Sequence, residues 1–449
     1  MEANTVLNIQ NPDKIIPNTD KIIPNGLSGI LNCGNTCYMN SAIQAFCHNT
    51  ILTSYLCHNK ERICETILKN APKIFKDNDN YDINNEKSPI SIELRKKVAD
   101  KEYEPNILTD EEKNVVYNST ITIQLIRLIS KMWERNYIFN PISFIKIFTE
   151  ARNKFFYGGD QHDAEEAYSC ILQKMQEELV EDTTGKKINF EITNKSVIEL
   201  MNFKHDIYIK KMHTTSQEEK NHYQKLYEDK LNEMPNEAII IESYKEMRKY
   251  YETSFNMITV MFTGFVHSSI CCPYCDKSSN KFEPFTHLSL SIPSKIGIIS
   301  IYDCIKEYCA EEKLDQYNRW NCENCKIKVN AVKKMQLWML PKFLVIQLKR
   351  FNAINSLKDN RIVEYPLHNL DVSEYVDTLN KSQEKCYSYR LICVVNHIGT
   401  LSGGHYYSYC LHNENDKWYK FDDDKTAQID VKNIVTPSAY LLFYVRNDV

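Results

Sequence analysis

The chain has 449 residues, a formal net charge of -4 and ordinary fractions of hydrophobic (43%) and charged (25%) residues. These values are typical of a globular protein and give no reason to expect nucleic acid or an anionic membrane as a partner. The sequence also lacks an apolar stretch long enough to span a bilayer, and it lacks an N-terminal secretory signal. We therefore expect an intracellular protein, cytoplasmic or nuclear, whose 16 cysteines stay reduced and serve metal binding, catalysis or packing.

The N-terminal segment contains a short tandem repeat, with copies at residues 13–18 and 20–25. Each copy is broken by a proline, and two copies cannot build a repeat fold. We predict that residues 1–25 form a flexible tail and that residues 26–449 form one domain.

A turn containing glycine and asparagine at residues 29–36 runs into a pattern of helical periodicity. Asn35 and Thr36 are residues of the helix-capping type, and we expect them to accept from the free amides of the first turn. The pattern predicts a helix from Thr36 to about His48.

Cys37 stands where this helix begins. A thiol at a helix N-terminus feels the positive end of the helix dipole, which favours the thiolate, the form that attacks carbonyl carbon. Asn32 offers a side-chain amide that could donate to the developing oxyanion. The surroundings favour a nucleophile over a buried packing cysteine, which would be the better interpretation of an isolated Cys.

Two regions are long and polar. Residues 70–118 are interpreted as a loop insertion with one or two short helices. Residues 185–250 are interpreted as an exposed helical insertion, in which 217–251 has the mixed charge of a solvated helix pair. The sequence assigns no role to either region. Residues 119–136 and 141–150, which follow the first insertion, have the periodicity of amphipathic core helices.

Two Cys-x-x-Cys pairs in the second half of the chain predict a metal site, with Cys272, Cys275, Cys322 and Cys325 as ligands. Four thiolates complete a tetrahedron, which indicates one structural zinc ion, with an iron–sulfur cluster as the less favoured alternative. Cys271 adjoins the first pair, but only Cys272 gives the two-residue spacing.

A glycine-containing stretch at 399–404 leads into His405, which begins an alternating strand. A second aromatic strand follows and ends at Asp422 and Asp423. Adjacent antiparallel strands could set an aspartate beside His405 and fix its tautomer while the imidazole faces Cys37. The glycines allow the backbone to approach a bound peptide closely.

These segments, in this order, resemble those of the ubiquitin-specific proteases: a cysteine box around Cys37, a second box at 158–167, two zinc knuckles and a histidine box. The resemblance spans about residues 26–446. It implies an α+β, papain-like cysteine protease fold with a helical thumb (about 26–255), and with zinc-knuckle fingers and a β-rich palm (about 256–449).

The second box departs from the family's usual form at two positions. His162 replaces a glutamine at a position that we interpret as non-catalytic, and Ala167 replaces an aromatic residue.

The resemblance further implies a deubiquitinase that hydrolyses isopeptide or peptide bonds at the C-terminal glycine of ubiquitin through a thioester intermediate. It implies that Cys37 is the nucleophile and that Asn32 donates to the oxyanion. It also implies that His405 is the general base, that Asp422 orients it, and that Asp423 is an auxiliary carboxylate. Contacts with the extended tail of ubiquitin are implied for Gln161, Asp163, Gly403, Gly404 and Tyr406. We expect ubiquitin and ubiquitinated proteins as partners, a monomer, one structural zinc and no catalytic cofactor.

Other classes of function remain open. An inactive ubiquitin-binding scaffold would keep the same fold, but it would be expected to have lost one of the catalytic residue types. A protease for another modifier, such as SUMO or a further ubiquitin-like protein, would share the same boxes because they read the common Gly-Gly tail. A stand-alone zinc-ribbon binding module would leave Cys37 and His405 unexplained.

Overall fold

A computed structural model describes most of the chain, namely residues 6–8, 25–76, 92–150, 160–184, 187–275, 277–352, 357–381, 386–400 and 403–449. The predicted repeat at 13–25 lies outside these ranges except for Asn25. Within the segment predicted to be a tail, Val6–Asn8 forms a strand that pairs in parallel with Lys187–Asn189.

The described residues form thirteen α-helices, and twelve of them end by Phe262. They are α1 Cys37–Cys47, α2 Thr50–His58, α3 Lys60–Lys76, α4 Ile92–Ala99, α5 Asp110–Asn118, α6 Ile121–Glu134, α7 Ile142–Glu150, α8 Ala164–Glu178, α9 Lys195–His213, α10 Gln217–Glu233, α11 Pro235–Ser254, α12 Met257–Phe262 and α13 Ile301–Tyr308. Short 3-10 helices are present at Pro105–Ile107, Ser373–Tyr375 and Val431–Asn433.

Strands dominate the second half of the chain. They are β1 Val6–Asn8, β2 Lys187–Asn189, β3 Gly264–Cys271, β4 Ser278–Phe285, β5 Leu288–Ser291, β6 Ile299–Ser300, β7 Glu312–Lys313, β8 Trp320–Cys322, β9 Ile327–Val329, β10 Val332–Met339, β11 Phe343–Lys349, β12 Phe351–Asn352, β13 Leu357–Lys358, β14 Val363–Glu364, β15 Leu370–Asp371, β16 Ser388–Thr400, β17 Gly403–His412, β18 Lys417–Asp422, β19 Lys425–Ile429 and β20 Ala439–Arg446.

The predicted helix at Cys37 is confirmed as α1, and it lies at the centre of the molecule. All 11 of its residues are buried, and the side chains of its polar residues Asn40, Ser41 and Gln44 donate to backbone carbonyls. It packs on α8 and on β17, so the predicted nucleophile and the predicted histidine strand are neighbours.

The largest sheet has the strand order β19-β18-β17-β16-β20-β11-β5, with β15 paired to β16. Successive side chains of a strand point to opposite faces of the sheet. On β20, Leu441, Phe443 and Val445 pack against the core of the helical half, whereas Leu442 and Tyr444 join a second core on the other face. Both faces are therefore buried, and the sheet is a rigid support for the residues at its β17–β18 edge.

A second sheet, with the order β4-β3-β10-β7, projects toward the cysteine pairs. At its base it packs on α11, where Tyr244 and Tyr251 are buried with Phe265, Phe282 and Trp338. The prediction of a solvated helix pair therefore holds for α10, which has no buried residue, and is wrong for α11.

The polar region 70–118 contains the two short helices expected of it, α4 and α5. Its first residues belong instead to the long helix α3, because that helix continues to Lys76. Among the helices in the described ranges, we find none that combines the length and apolar character required to cross a bilayer.

Candidate active site

The loop before α1 is organised by the side-chain carbonyl of Asn32. Its Oδ1 accepts from the backbone N–H groups of Gly34 and Thr36, both at 3.1 Å. Gly34 (φ +97°) and Asn35 (φ +53°) turn the chain through left-handed conformations in between. Thr36 is the N-cap residue, but the prediction that its side chain caps α1 is wrong, because its hydroxyl accepts from the Cys33 N–H instead.

The thiol of Cys37 is enclosed, with the residue 2% exposed. Burial raises the pKa of this thiol, and the bonds that its sulfur accepts from the Tyr406 backbone and the Gln161 side chain act against that rise. The Tyr38 N–H in the first turn of α1 also acts to lower the pKa, but burial outweighs it and the pKa of Cys37 is raised, contrary to the expectation from the sequence. The contact with Tyr406 places the sulfur beside the residue that follows His405.

His405 and Asp422 meet across the neighbouring strands β17 and β18. The His405 Nε2 lies 2.6 Å from Asp422 Oδ1, and Lys420 Nζ lies 2.7 Å from Asp422 Oδ2. Burial acts to raise the pKa of Asp422, but the bonds from Lys420 and His405 outweigh it and hold this pKa below its ordinary value. An ionised carboxylate only accepts, so the imidazole carries a proton on Nε2 and its Nδ1 is left to exchange a proton.

Asp423 bonds the loop before α1, and one of its carboxylate oxygens also lies within 4.8 Å of a ring nitrogen of His405. Its carboxylate accepts from Asn32 Nδ2 at 2.9 Å and from Asn40 Nδ2 at 2.8 Å, and its backbone carbonyl accepts from Ile30 N–H. The first bond engages one of the two N–H donors on the Asn32 amide and leaves the other for an oxyanion. These contacts also fix the position of Asn32, and an auxiliary role of Asp423 beside His405 stays a prediction.

A cavity of about 260 Å³ is lined in part by Gln161 and Tyr406, two residues whose N–H groups donate to the Cys37 sulfur. Its lining residues are Gln161, His162, Asp163, Glu166, Phe351, His397, Thr400, Gly403 and Tyr406. It therefore includes four of the five residues predicted to contact the tail of ubiquitin.

The fifth residue, Gly404, is bound by Gln161. The Gly404 N–H donates to Gln161 Oε1 at 2.8 Å, and Gln161 Nε2 donates to the Gly404 carbonyl. A Cβ at Gly404 would lie 2.2 Å from His397 Nε2 and 2.3 Å from the carbonyl oxygen of Ile398, so this strand position requires glycine. Both Gly403 and Gly404 belong to β17, so the predicted strand begins two residues before His405.

Asp163 lies at the start of α8 as predicted, and its Oδ1 accepts from the Glu165 N–H at 2.7 Å. The Tyr440 hydroxyl donates to its Oδ2 at 2.5 Å. Burial raises the pKa of Asp163 to about 6, against the effect of these bonds. The side chain can thus present a negative charge to the cavity above that pH.

The two histidines that line the cavity, His162 and His397, are poorer candidates than His405 for the general base. Burial lowers the pKa of His397 to about 4, so this imidazole is neutral near pH 7. His162 packs edge-on against Tyr38, with ring centroids 5.5 Å apart.

The four predicted zinc ligands converge at the end of the second sheet. The sulfur atoms of Cys272 and Cys325 lie 3.9 Å apart, and those of Cys275 and Cys322 lie 3.6 Å apart. A tetrahedron with Zn–S bonds of 2.3 Å has S–S edges of about 3.8 Å, so this group fits one zinc ion. Cys271 ends β3 and is outside the group.

Two residues near Cys37 and His405 were not identified from the sequence. Asn40 lies one helical turn after Cys37, and Lys420 lies two positions before Asp422, on the same face of β18. The periodicities of helix and strand could have indicated both.

Comparisons with known proteins agree on one family. The family model described as ubiquitin carboxyl-terminal hydrolase matches residues 28–444. A probable ubiquitin carboxyl-terminal hydrolase of Acanthamoeba polyphaga mimivirus is 47% identical over 427 residues, which cover 94% of this chain and 91% of that protein. Ubiquitin carboxyl-terminal hydrolase 2 of Gallus gallus is 33% identical over 221 residues, which cover 48% of this chain and 59% of that protein.

Solved structures of the yeast SAGA DUB module are similar in fold. One superposes with a TM-score of 0.55 at 21% identity, covering 96% of this chain and 70% of the other. A second, in which the module contains Ubp8 and is bound to monoubiquitin, superposes with a TM-score of 0.54 at 20% identity, covering 98% of this chain and 74% of the other. The predicted α+β, papain-like fold is confirmed.

Proposed function

The chain belongs to the ubiquitin carboxyl-terminal hydrolase family, as a ubiquitin-specific protease, and on that premise we propose that Cys37, His405 and Asp422 form its catalytic triad. Membership makes it a thiol-dependent deubiquitinating enzyme. The proposed reaction is hydrolysis of the isopeptide or peptide bond at the C-terminal glycine of ubiquitin.

The first half-reaction acylates Cys37. His405 Nδ1 takes the thiol proton, and the sulfur attacks the glycine carbonyl carbon to give a tetrahedral oxyanion. The remaining N–H of Asn32, together with backbone amides, donates to this oxyanion. The C–N bond then breaks, His405 returns its proton to the leaving amine, and a thioester remains.

The second half-reaction releases ubiquitin. Water loses a proton to His405 as its oxygen attacks the thioester carbonyl, and the C–S bond breaks. The sulfur recovers its proton from His405. Asp422 stabilises the imidazolium in both halves because its carboxylate accepts from Nε2–H.

The cavity beside Cys37 is proposed to receive the Gly-Gly tail. We propose a narrow channel that accepts only unbranched residues, with Gly403 and Tyr406 of β17 and residues of the second box in its lining. The Gln161 amide holds the backbone of Gly404 and donates to Cys37, so the incoming tail must displace it. Asp163 is proposed to pair with a basic side chain of the tail.

Zinc has a structural role in this proposal. Four sulfur ligands leave no coordination position for substrate, and the ion would hold the end of the second sheet together. The proposed thumb is the helical half, about 26–255, and the proposed fingers and palm occupy about 256–449. A monomer remains a prediction from the sequence.

The proposal rests on two contacts near the start of β17. The Cys37 sulfur accepts from the backbone of Tyr406, and the preceding residue, His405, lies 2.6 Å from Asp422. The test is release of a fluorophore from the C-terminus of ubiquitin, with Cys37→Ala as the matched variant. We expect release by the wild type alone. Binding of ubiquitin without release by the wild type would indicate an inactive scaffold, whereas release from a SUMO or other ubiquitin-like probe alone would indicate a different modifier.

A further inference from the structure

Lys420 contacts both the proposed triad and the strand that carries its histidine. Its ammonium lies 2.7 Å from Asp422 Oδ2 and 4.3 Å from the centroid of the Tyr407 ring. The other carboxylate oxygen, Oδ1, accepts from His405. Asp422 is therefore held between two cationic or potentially cationic donors, one on each oxygen.

The strand pairing produces this arrangement. Lys420 and Asp422 are two positions apart on β18, so their side chains leave the same face of the strand. The register pairs Tyr409 of β17 with Lys420, which places Tyr407 at the diagonal position and His405 beyond it. The face of the Tyr407 ring attracts the ammonium and keeps it beside the carboxylate.

The pair is too exposed to serve mainly as a source of stability. Side-chain exposure is 36% for Lys420 and 30% for Asp422, and ion pairs this accessible contribute little to folding. Its effect falls instead on the direction of the carboxylate and on the charge that His405 experiences.

We propose that Lys420 is a positioning residue for the reaction: it orients the Asp422 carboxylate toward His405 and offsets part of its negative charge. The proposal rests on the proposed function, since it takes His405 as the acid and base of the reaction. Without Lys420, the imidazolium faces an uncompensated carboxylate and holds its proton to higher pH.

Other charged and titratable groups also face His405. His397 approaches from β16 and Asp423 from the turn after β18, and the Cys37 sulfur accepts from the backbone of the next residue, Tyr406. Asp423 is bonded to two asparagine amides, and burial keeps His397 neutral near pH 7. None of these groups is altered by a substitution at Lys420.

The test is the pH dependence of kcat/KM for the ubiquitin–fluorophore substrate with Lys420→Met. We expect the alkaline limb, where His405 loses the proton that the leaving group needs, to move up by about half a pH unit. The shift should shrink between low salt and 1 M salt, because the pair is accessible to ions. Lys420→Arg keeps the charge and should restore the wild-type limb, and Lys417→Met, also on β18, should leave the profile unchanged.

A role confined to structure would lower the rate of Lys420→Met without moving the limb, and this result would overturn the proposal. A limb in Lys420→Arg that moves as far as in Lys420→Met would also overturn it. The pH dependence of Cys37 alkylation by iodoacetamide gives a second measurement that needs no ubiquitin. If the wild type cleaves no ubiquitin, the proposed function fails. The alkylation measurement then still decides on Lys420: a shifted profile in Lys420→Met supports its role, and an unchanged profile refutes it.

Discussion

The contact between Asp423 and Asn32 leads to the sharpest prediction, for the isosteric substitution Asp423→Asn. Both partners of the Asp423 carboxylate, Asn32 and Asn40, present N–H donors to it. An amide in place of the carboxylate has one acceptor, so it can satisfy only one of them. We expect it to keep the bond to Asn40, because Asn40 is 2% exposed and its other acceptors, the carbonyls of Ile30 and Leu31, lie farther away at 3.3 and 3.4 Å.

The bond to the exposed Asn32 is then lost. Because water can replace that bond, the free energy of unfolding should fall by only about 1 kcal/mol. The catalytic cost should be larger, since removal of an oxyanion donor lowers kcat by about 100-fold to 1,000-fold. A misplaced donor retains part of its effect, so we expect kcat for Asp423→Asn to fall by about 10-fold to 100-fold.

The assay is a double-mutant cycle on kcat, with Asn32→Ala, Asp423→Asn and the double variant. If Asp423 acts through Asn32, the double variant should be no slower than Asn32→Ala. Asp416→Asn is a matched control, because Asp416 (φ +54°) and Asp423 (φ +52°) share the same left-handed backbone conformation in different turns. Losses that multiply in the double variant would refute the reasoning and favour a direct effect of Asp423 on His405.

Three further predictions test the channel and the zinc site. Gly404→Ala should lower kcat/KM by more than about 10-fold, because the added Cβ meets the carbonyl oxygen of Ile398 and the His397 ring. The control is Gly403→Ala, whose Cβ meets nothing within 4 Å. A loss in Gly404→Ala no greater than that of the control would contradict the packing argument. The carboxyl of Asp163 ionises as the pH rises through about 6, so KM for ubiquitin should fall across that interval and stay flat in Asp163→Asn; a wild-type KM independent of pH would exclude this pairing. Chelation of zinc, or Cys272→Ser, should raise hydrogen exchange in β8 and β9, because the core there has four buried residues and is proposed to depend on the ion. The large sheet should stay protected. Unchanged exchange in β8 and β9 would argue against a structural ion.

The elements that carry the chemistry were predictable because their signals are local. The periodicity after residue 36 predicted α1, and the alternation after His405 and before Asp422 predicted β17 and β18. The spacing of the cysteine pairs selected Cys272 over Cys271, and the structure gathers that same set. Residues close in sequence determine such features, so no distant contact is needed to infer them.

The partners of the polar side chains were decided by tertiary structure. Asn32 and Asp423 are separated by 391 positions, and they meet only because the β18–β19 turn lies against the loop before α1. Another tertiary contact joins Gln161 to Gly404, which are separated by 243 positions. A donor bonds whichever acceptor the fold brings within reach, and local sequence does not contain that distance.

Residue type and spacing in this sequence were enough to predict the candidate nucleophile, the candidate base, the four cysteines that the structure gathers and the elements on which they stand. Tertiary structure decided the electrostatic state of these groups. Cys37 stands at a helix N-terminus, which by itself favours the thiolate, yet burial raises the pKa of the thiol and outweighs the bonds from Tyr406 and Gln161 that act to lower it. Desolvation depends on everything packed around an atom, so it is a property of the folded chain that no local pattern expresses.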